Sequence, residues 1–201
     1  MATKMYDNGA TEKRVYRFLS PADVKGTGVL TFDYQNKNDD MWIYLPALHK
    51  TRRIVGGGKA KSFMGSEFTY ADMNTPILDN YNLNVKKEEK VDGVNCYVVE
   101  MLPKNNDVAK EEKYSKKLVW VAKKEFTIRK AVYYDLDGEL LKELTCKDIK
   151  LLDTKLKRYR PMKMEMVNKQ NKRRSVLVVD KIESNPDVKD DYFTTAYLEK
   201  I

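Results

Sequence analysis

The stretch WIYLPALHKTRRIVGGGKAKSFMGSEFTYADM, from Trp42 to Met73, decides the fold of this chain. It begins as a strand in which successive side chains alternate between two faces, and every residue from Met41 to Leu45 is apolar. Such a strand is either buried on both faces or buried on one face while the other lines an apolar cavity. The sequence therefore predicts a buried β-strand that breaks at Pro46.

A glycine-rich loop follows this strand. Glycines fill positions 56–58, and Gly65 closes a loop that carries Phe63 and Met64. Apolar side chains on a loop with this much backbone freedom are costly to leave in water, so we expect them to cover something. The loop is predicted either to close as a lid over apolar cargo or to cap one end of a solid β core.

Two adjacent arginines, Arg52 and Arg53, stand at the base of the loop, where the apolar strand meets solvent. They can bind a headgroup or a phosphate through paired hydrogen bonds. They can also hold the loop through a carboxylate such as Glu67 or Asp72. The predicted lid and gate residues are Arg52, Arg53, Gly57, Phe63 and Met64.

Turn residues and period-two alternation predict β-structure along the rest of the chain. Three hairpin-type turn signals, Asn8-Gly9, Asp92-Gly93 and Asp137-Gly138, each lie between apolar-rich runs. Strands are predicted at 11–19, 28–35, 40–46, 50–55, 81–90, 94–102, 116–123, 126–135, 139–151, 158–168 and 172–183. A chain of this many antiparallel strands must close or curl to protect its edges, so we expect a highly curved sheet wrapped round short helices.

Three segments outside these strands carry predictions as well. The polar segment 103–115 is predicted to be a long exposed loop. A helix begun near Thr69 is expected to end before Pro76, and residues 190–193 are expected to make one more helical turn.

Four motifs occur in one order: PADVKGTGVL from Pro21, WIYLPAL from Trp42, the Arg52-Arg53 pair and SFMGSEFTYADM from Ser62. Together they resemble the outer-membrane lipoprotein-sorting proteins, the LolA-like family of periplasmic carriers. The similarity continues more weakly through NCYVVEMLP, YYDLDGELLK and DDYFTTAYL, so it covers nearly the whole chain. The resemblance implies a mainly β fold: a strongly curved, incomplete antiparallel β-barrel with short helices plugging its open side. A cavity there would take the acyl chains of a lipoprotein or lipid.

The resemblance also bears on the domain boundaries and location. We expect residues 1–201 to be a single LolA-like domain. The N-terminal sequence MATKMYDNG lacks the apolar segment of a signal peptide and enters a hairpin at once. We therefore expect the native signal peptide and the leading helix of the family to have been removed, and the native location to be the periplasm.

A row of methionines suggests what fills the curve. Met162, Met164 and Met166 lie on one face of a predicted strand, with Lys163 and Glu165 on the other. Unbranched thioethers adapt to variable apolar ligands, and they also fill irregular cores. The predicted cavity-lining residues are Leu30, Phe32, Trp42, Tyr44, Trp120, Met162, Met164 and Met166.

The chain is basic, with a formal net charge of +8 and an isoelectric point near 9.2. Its lysines lie beside hairpin turns or on alternating outer strand faces, where they protect sheet edges from aggregation. A basic surface is also suited to anionic headgroups or an acidic partner. A nucleic-acid partner is not expected, because the aromatic residues fall on apolar strand faces and the sequence carries no RNA-binding or helix-turn-helix signature.

Residues suited to catalysis are scarce. His49 is the only histidine, so a histidine-rich zinc site is excluded and most catalytic triads are hard to build. The glycines at 56–58 lack the lysine and helix start of a phosphate-binding loop. Cys96 and Cys146 are either a disulfide or two buried hydrophobes. We therefore expect no catalytic residue, no metal site and no cofactor.

Two functions remain for a chain of this kind. The first is a non-enzymatic periplasmic carrier that shields acyl chains of lipoproteins or lipids during outer-membrane lipoprotein sorting. Its partners would be the cargo, an inner-membrane transporter and an outer-membrane acceptor. The second is an accessory or sensor module of a membrane transport or envelope-stress system that uses the same lipid-binding fold.

Overall fold

The computed structural model describes residues 1–154, 157–183 and 187–200. The chain forms two compact units. The first comprises Met1–Met64, Tyr70–Ile77 and Glu183–Ile201, and the second comprises Gly65–Thr69 and Leu78–Ile182. Both units are built around antiparallel sheets, so the predicted mainly β class is confirmed.

The first unit is a five-stranded sheet in the order β1-β2-β3-β4-β5. Its strands are β1 Ala2–Tyr6, β2 Thr11–Arg17, β3 Gly28–Tyr34, β4 Asp40–Leu45 and β5 Lys50–Ile54. Short 3₁₀ helices lie at Asp7–Gly9, Pro46–Leu48, Gly56–Gly58, Ala71–Met73 and Asp190–Phe193, and a helix of one turn, α2, spans Thr195–Leu198. The predicted hairpin at Asn8-Gly9 is confirmed, because both residues adopt positive φ between β1 and β2.

Strand β4 is buried on both faces, as its sequence predicts. Met41 lies on one face and Tyr44 on the other, and both side chains are buried. The C-terminal segment packs on the Tyr44 face through Phe193 and Leu198. On the Met41 face, Asn74 of the segment Tyr70–Ile77 reaches the Met41 sulfur. Other segments of the first unit therefore cover β4 on both faces.

The second unit is a seven-stranded sheet in the order β12-β11-β10-β9-β8-β7-β6. The strands are β6 Tyr81–Val91, β7 Val94–Pro103, β8 Lys116–Ala122, β9 Ile128–Tyr134, β10 Leu140–Asp153, β11 Arg158–Asn168 and β12 Arg174–Val178. A 3₁₀ turn at Leu78–Asn80 precedes them, and helix α1 at Asn106–Glu112 connects β7 to β8. Every neighbouring pair is antiparallel, and the two outer strands of each sheet, as described, remain separate edges.

Two sequence predictions need correction. Segment 103–115 is not simply an exposed loop, because it contains α1, whose first turn is capped by the Asn105 side chain bonding two backbone N–H groups. Tyr114 at its end is only 2% exposed. The strand predicted at 172–183 is shorter, spanning Arg174–Val178. The helical turn expected at 190–193 is confirmed.

The two cysteines lie on opposite faces of the second sheet. Cys96 shares a face with Trp120, which pairs with Lys130, which in turn pairs with Thr145. Because Cys146 follows Thr145 in the strand, it points to the other face. Both are free thiols, and burial raises the pKa of Cys146 to about 12. The pairing considered from the sequence is therefore ruled out by strand geometry.

We predict that neither thiol affects stability through oxidation. A reductant should leave the melting temperature unchanged, because no disulfide constrains the unfolded chain. A thiol reagent at neutral pH should label Cys146 only after denaturation, because a buried thiol with a raised pKa stays protonated. A melting temperature that falls when the reductant is added would contradict this description.

Candidate functional site

The three methionines of β11 lie together on one face of the second sheet. Met166 faces Leu144 across the strands, and Met164 faces Cys146. Their neighbours on β8 and β9 are also apolar, since Leu144 pairs with Ala131 and Ala131 pairs with Val119. We call this surface the methionine face, and it consists of Val119, Ala131, Leu144, Cys146, Met162, Met164 and Met166.

Trp120 does not belong to the methionine face. It lies on the opposite side of the sheet, in a buried cluster with Cys96, Val98, Ala122 and Val132. The Lys130 ammonium sits 5.3 Å from the centre of its ring. The structure therefore separates Trp120 from the methionines with which the sequence had grouped it.

The four predicted lining residues of the first unit share one face. Leu30 pairs with Trp42 across β3 and β4, which also places Phe32 and Tyr44 on that side. The face is packed against the C-terminal segment through Val188, Tyr192, Phe193, Tyr197 and Leu198. The register therefore places these four residues on one face of the sheet, and their role as a ligand lining stays a prediction.

Two predicted lining residues are packed completely. Leu30 and Met166 each have 0% exposed surface. A side chain that lines a cavity large enough for a ligand keeps some accessible surface, so both are in close van der Waals contact all round. Met164, by contrast, is only partly buried. Among the three methionines, Met164 keeps the largest exposed fraction.

Phe63, predicted as a lid residue, fills an aromatic cluster of the first unit. Its ring lies 5.7 Å from Tyr16, 5.8 Å from Phe18 and 5.3 Å from Tyr70, measured between centroids. Only 7% of Phe63 is exposed. Because Tyr16 alternates with Val15 along β2, this cluster lies on the face opposite Leu30.

The backbone around Phe63 bends sharply. Met64 and Gly65 both have positive φ, of 50° and 75°. The Tyr70 hydroxyl lies 3.8 Å from the Met64 sulfur. At the start of the loop, a side chain on Gly57 would meet nothing within 4 Å, whereas one on Gly58 would approach Ile54 to 3.0 Å. A side chain at position 58 would therefore push the Ile54 side chain aside by a few tenths of an ångström, whereas position 57 has room for one.

The two predicted gate arginines point in opposite directions. Arg52 pairs with Ile43 and Arg53 with Trp42 across β4 and β5, so they occupy different faces of the sheet. Arg53 forms an ion pair with Asp40 and is mostly exposed. Each face of the sheet therefore carries one of the two arginines, so they cannot act together on one face.

Glu67, in the segment SFMGSEFTYADM, is bonded through its carboxylate and through both of its backbone polar groups. Its carboxylate accepts a hydrogen bond of 3.0 Å from Asn168 and pairs with Arg173 at 3.2 Å. Its N–H donates to the Ser175 hydroxyl at 3.0 Å, and its C=O accepts from the Lys142 ammonium at 3.1 Å. We call these contacts the Glu67 clamp. The sequence suggested Glu67 as a holder of the loop through Arg52 or Arg53, but its basic side-chain partner in the clamp is Arg173. The partners of Glu67 lie between 75 and 108 residues further along the chain.

Lys142 is a buried cation in this clamp. Its ammonium lies 5.0 Å from the ring centre of Tyr114 and 5.3 Å from that of Tyr133. Aromatic faces attract a desolvated ammonium, and the Glu67 carbonyl accepts one of its protons. No sequence motif predicted this arrangement, because the local sequence does not distinguish Lys142 from the other lysines that lie on strands.

A second polar network holds the chain around Thr75 in the first unit. Arg14 is buried, pairs with Asp33 and donates to the carbonyl of Met73. The Thr75 N–H donates to the same Asp33 carboxylate at 2.9 Å. We call this the Arg14–Asp33 network. Burying an ion pair costs desolvation free energy, and the hydrogen bonds to the Met73 carbonyl and the Thr75 N–H offset part of that cost.

Asp39 extends the network. The Asn74 side chain donates to it at 2.6 Å, and the Tyr34 N–H at 3.2 Å. Burial, together with the nearby charge of Asp33, raises the pKa of Asp39. Asp39 is half-buried, and no local feature of the sequence indicates this.

Comparison with known proteins identifies the family. A family model described as an uncharacterized protein matches residues 10–200. A domain from Vibrio parahaemolyticus, assigned provisionally by name to outer membrane lipoprotein sorting, is 31% identical, with a TM-score of 0.86 over 96% of this chain and 80% of that one. The chain belongs to this LolA-like family of lipoprotein-sorting domains.

Other solved structures agree with this assignment. A DUF1329 family protein from Desulfovibrio piger is 30% identical to this LolA-like chain, with a TM-score of 0.82 over 98% of it and 81% of its own length. A LolA superfamily protein from Nitrosomonas europaea shares the fold at 22% identity, with a TM-score of 0.65 over 93% of this chain and 77% of its own. Comparison with curated protein sequences finds no match.

Within residues 1–154, 157–183 and 187–200, the LolA-like chain brings together no group of three metal-ligating side chains. In the same part of the chain, no helix is long and apolar enough to cross a membrane.

We predict that removing the Glu67 carboxylate loosens the segment it holds. Glu67→Ala should lower the free energy of unfolding by about 2 kcal/mol, because it breaks charge-assisted hydrogen bonds to a side chain that is only 10% exposed. Urea unfolding measures the loss, and hydrogen exchange should accelerate at residues 65–69.

Glu139→Ala is the matched control, since that glutamate lies at the β9–β10 hairpin with an exposed side chain. Its free energy of unfolding should stay within about 0.5 kcal/mol of the wild type. Equal effects of the two substitutions would show that the clamp contributes nothing.

Proposed function

We propose that this LolA-like protein is a non-enzymatic periplasmic carrier that binds acyl chains of lipoproteins or lipids in outer-membrane lipoprotein sorting. The methionine face is the observation that carries the proposal. It presents adaptable thioethers and small or branched apolar side chains across four adjacent strands, β8 to β11. The relative of 31% identity whose name refers to lipoprotein sorting supports the same role.

The chemistry required of such a carrier is reversible burial. Each methylene group removed from water contributes roughly 0.8 kcal/mol, so one acyl chain supplies several kcal/mol without a covalent step. Four adjacent strands span about 14 Å across a sheet, which accommodates an extended segment of an acyl chain. The exposed part of Met164 marks where contact with cargo begins.

We further propose that the loop from Gly56 to Gly65 acts as the gate. In the closed state Phe63 occupies the aromatic cluster of Tyr16, Phe18 and Tyr70. An acyl chain that displaces Phe63 from this cluster would bury a similar apolar area, so opening is nearly balanced in free energy. The glycines at 56–58 and Gly65 supply the backbone freedom for that movement.

The first prediction of the carrier proposal concerns Met164. Met164→Lys should reduce binding of a fluorescent fatty acid by tenfold or more, because an ammonium placed on the methionine face would have to lose its hydration when cargo binds. Titration of delipidated protein measures the dissociation constant, and thermal unfolding confirms that the variant is folded.

Val176→Lys is the control for that substitution. Val176 is an exposed apolar residue on the neighbouring strand β12, and its pairing with Glu165 places it on the opposite face of the sheet. Its fatty-acid affinity should equal that of the wild type. Unchanged binding in folded Met164→Lys would remove the methionine face from the proposal.

The second prediction tests the gate. Replacing both Phe63 and Met64 with serine should weaken cargo retention. Serine side chains cover less apolar surface of a bound acyl chain than phenylalanine and methionine do. Dissociation of the fluorescent fatty acid after dilution measures retention, and urea unfolding measures stability.

The two measurements separate a gate from a fixed plug. Faster cargo release in a protein of nearly wild-type stability supports the gate. A loss of several kcal/mol in stability, with retention unchanged, would assign Phe63 to the permanent core.

A further inference from the structure

Three hairpin turns meet at one end of the second sheet. Because its strands are antiparallel and follow one another in space, the β6–β7, β8–β9 and β10–β11 turns all lie at the same end. Helix α1 lies at the other end, between β7 and β8. We call this surface the hairpin end, and it consists of residues 90–94, 123–129, 147–154 and 157–160.

Phe126 is held in water at the tip of the β8–β9 hairpin. It is 75% exposed, and its backbone has a positive φ of 51°, which is uncommon for a bulky residue. The turn is closed beneath it by a hydrogen bond of 3.0 Å from the Phe126 N–H to the Ala122 carbonyl. An ion pair of 2.8 Å between Glu125 and Arg129 closes it further. A bonded turn thus projects an aromatic ring outward.

The neighbouring hairpin also exposes apolar side chains. Leu151 is 45% exposed and Leu152 is 39% exposed near the end of β10. Strands β10 and β11 run on past the last paired residues of β9, so the β9-side edge of β10 is unpaired in this part of the hairpin. Ile128, at the start of β9, is exposed as well. The apolar side chains are thus distributed over separate tips and form no single flat patch.

Basic residues surround these apolar tips. Among the residues of the hairpin end, lysine and arginine outnumber aspartate and glutamate by nine to four. Lys124, two positions before Phe126, is exposed, and so are Lys150 and Arg158 on the neighbouring hairpin. The net positive charge per residue is therefore higher at the hairpin end than in the chain as a whole, whose formal net charge is +8.

We propose that the hairpin end docks on an anionic phospholipid bilayer, with Phe126 and the leucine pair entering the headgroup region. Separate apolar tips ringed by basic side chains match an interface in which phosphates lie above hydrocarbon. Lysine side chains extend their apolar stems along such a surface and keep the ammonium at the phosphate level. An acidic protein partner would match the charge but would leave the separate tips unburied. This docking goes beyond cargo binding and uses none of the methionine face.

Vesicle co-sedimentation tests the proposal with the full chain freed of lipid. The wild type should bind vesicles that mix phosphatidylcholine with phosphatidylglycerol and should not bind phosphatidylcholine alone. Phe126→Ser should weaken the partition coefficient roughly tenfold. Lys124→Gln should weaken it about fivefold. Phe126→Leu should restore most of the binding.

Matched controls exclude general effects of charge and hydrophobicity. Val85→Ser removes an apolar residue of similar exposure from the middle of β6, and Lys110→Gln removes a lysine from α1 at the other end of the sheet. Both should bind vesicles as the wild type does. Met164→Lys should also keep full vesicle binding, so that failure of docking and failure of cargo binding are distinguishable.

The outcomes decide between the proposal and its alternatives. Selective binding to anionic vesicles that depends on Phe126 and Lys124 but not on Val85 or Lys110 supports it. Equal binding to both vesicle types, or no effect of Phe126→Ser in the folded protein, overturns it. Absence of vesicle binding by the wild type also overturns it and leaves an acidic protein as the occupant of the hairpin end.

Discussion

A strand that is apolar on both faces has to be covered on both, and this constraint governs the first unit. The side chains of Met41 to Leu45 in β4 are apolar on both faces, so both sides of the sheet have to be covered at this strand. The C-terminal segment covers one side through Phe193 and Leu198. Phe63 and the chain around Thr75 cover part of the other. Segments far apart in sequence are therefore held on one sheet by the need to remove apolar surface from water.

Irregular covering segments bring unpaired backbone groups with them, and polar networks satisfy these groups. The Arg14–Asp33 network receives the carbonyl of Met73 and the N–H of Thr75. The Glu67 clamp does the same for one residue of the second unit, bonding its N–H, its C=O and its carboxylate. Without such partners, burying each backbone group would cost free energy comparable to that of a lost hydrogen bond, and the segments could not lie against a sheet.

A carrier role agrees with what these networks do. The polar side chains of the Arg14–Asp33 network and of the Glu67 clamp hold covering segments in place. Cargo binding by burial requires surfaces that open and close at little net cost in free energy. Aromatic and thioether packing provides that, because such contacts are non-directional and can be exchanged for contacts with an acyl chain.

The sequence by itself determined the strands, the hairpin turns and the family. Alternation of side chains and the steric demands of residues such as Asn8 and Gly138 act over a few positions, so they can be read from adjacent residues. Only the tertiary structure decided which faces share a surface. Both Trp120 and Met164 were predicted from the sequence to line the cavity, yet the register of the strands puts them on opposite faces of the sheet.

The partners of buried charges were likewise decided by the tertiary structure. Glu67 and Asn168 are 101 residues apart and meet because β11 ends where the segment passes. The local sequence does not indicate such a contact, because the contact depends on the register of strands that pair in succession along the sheet. A shift of one residue in any strand pair would turn the side chains of every later strand to the other face.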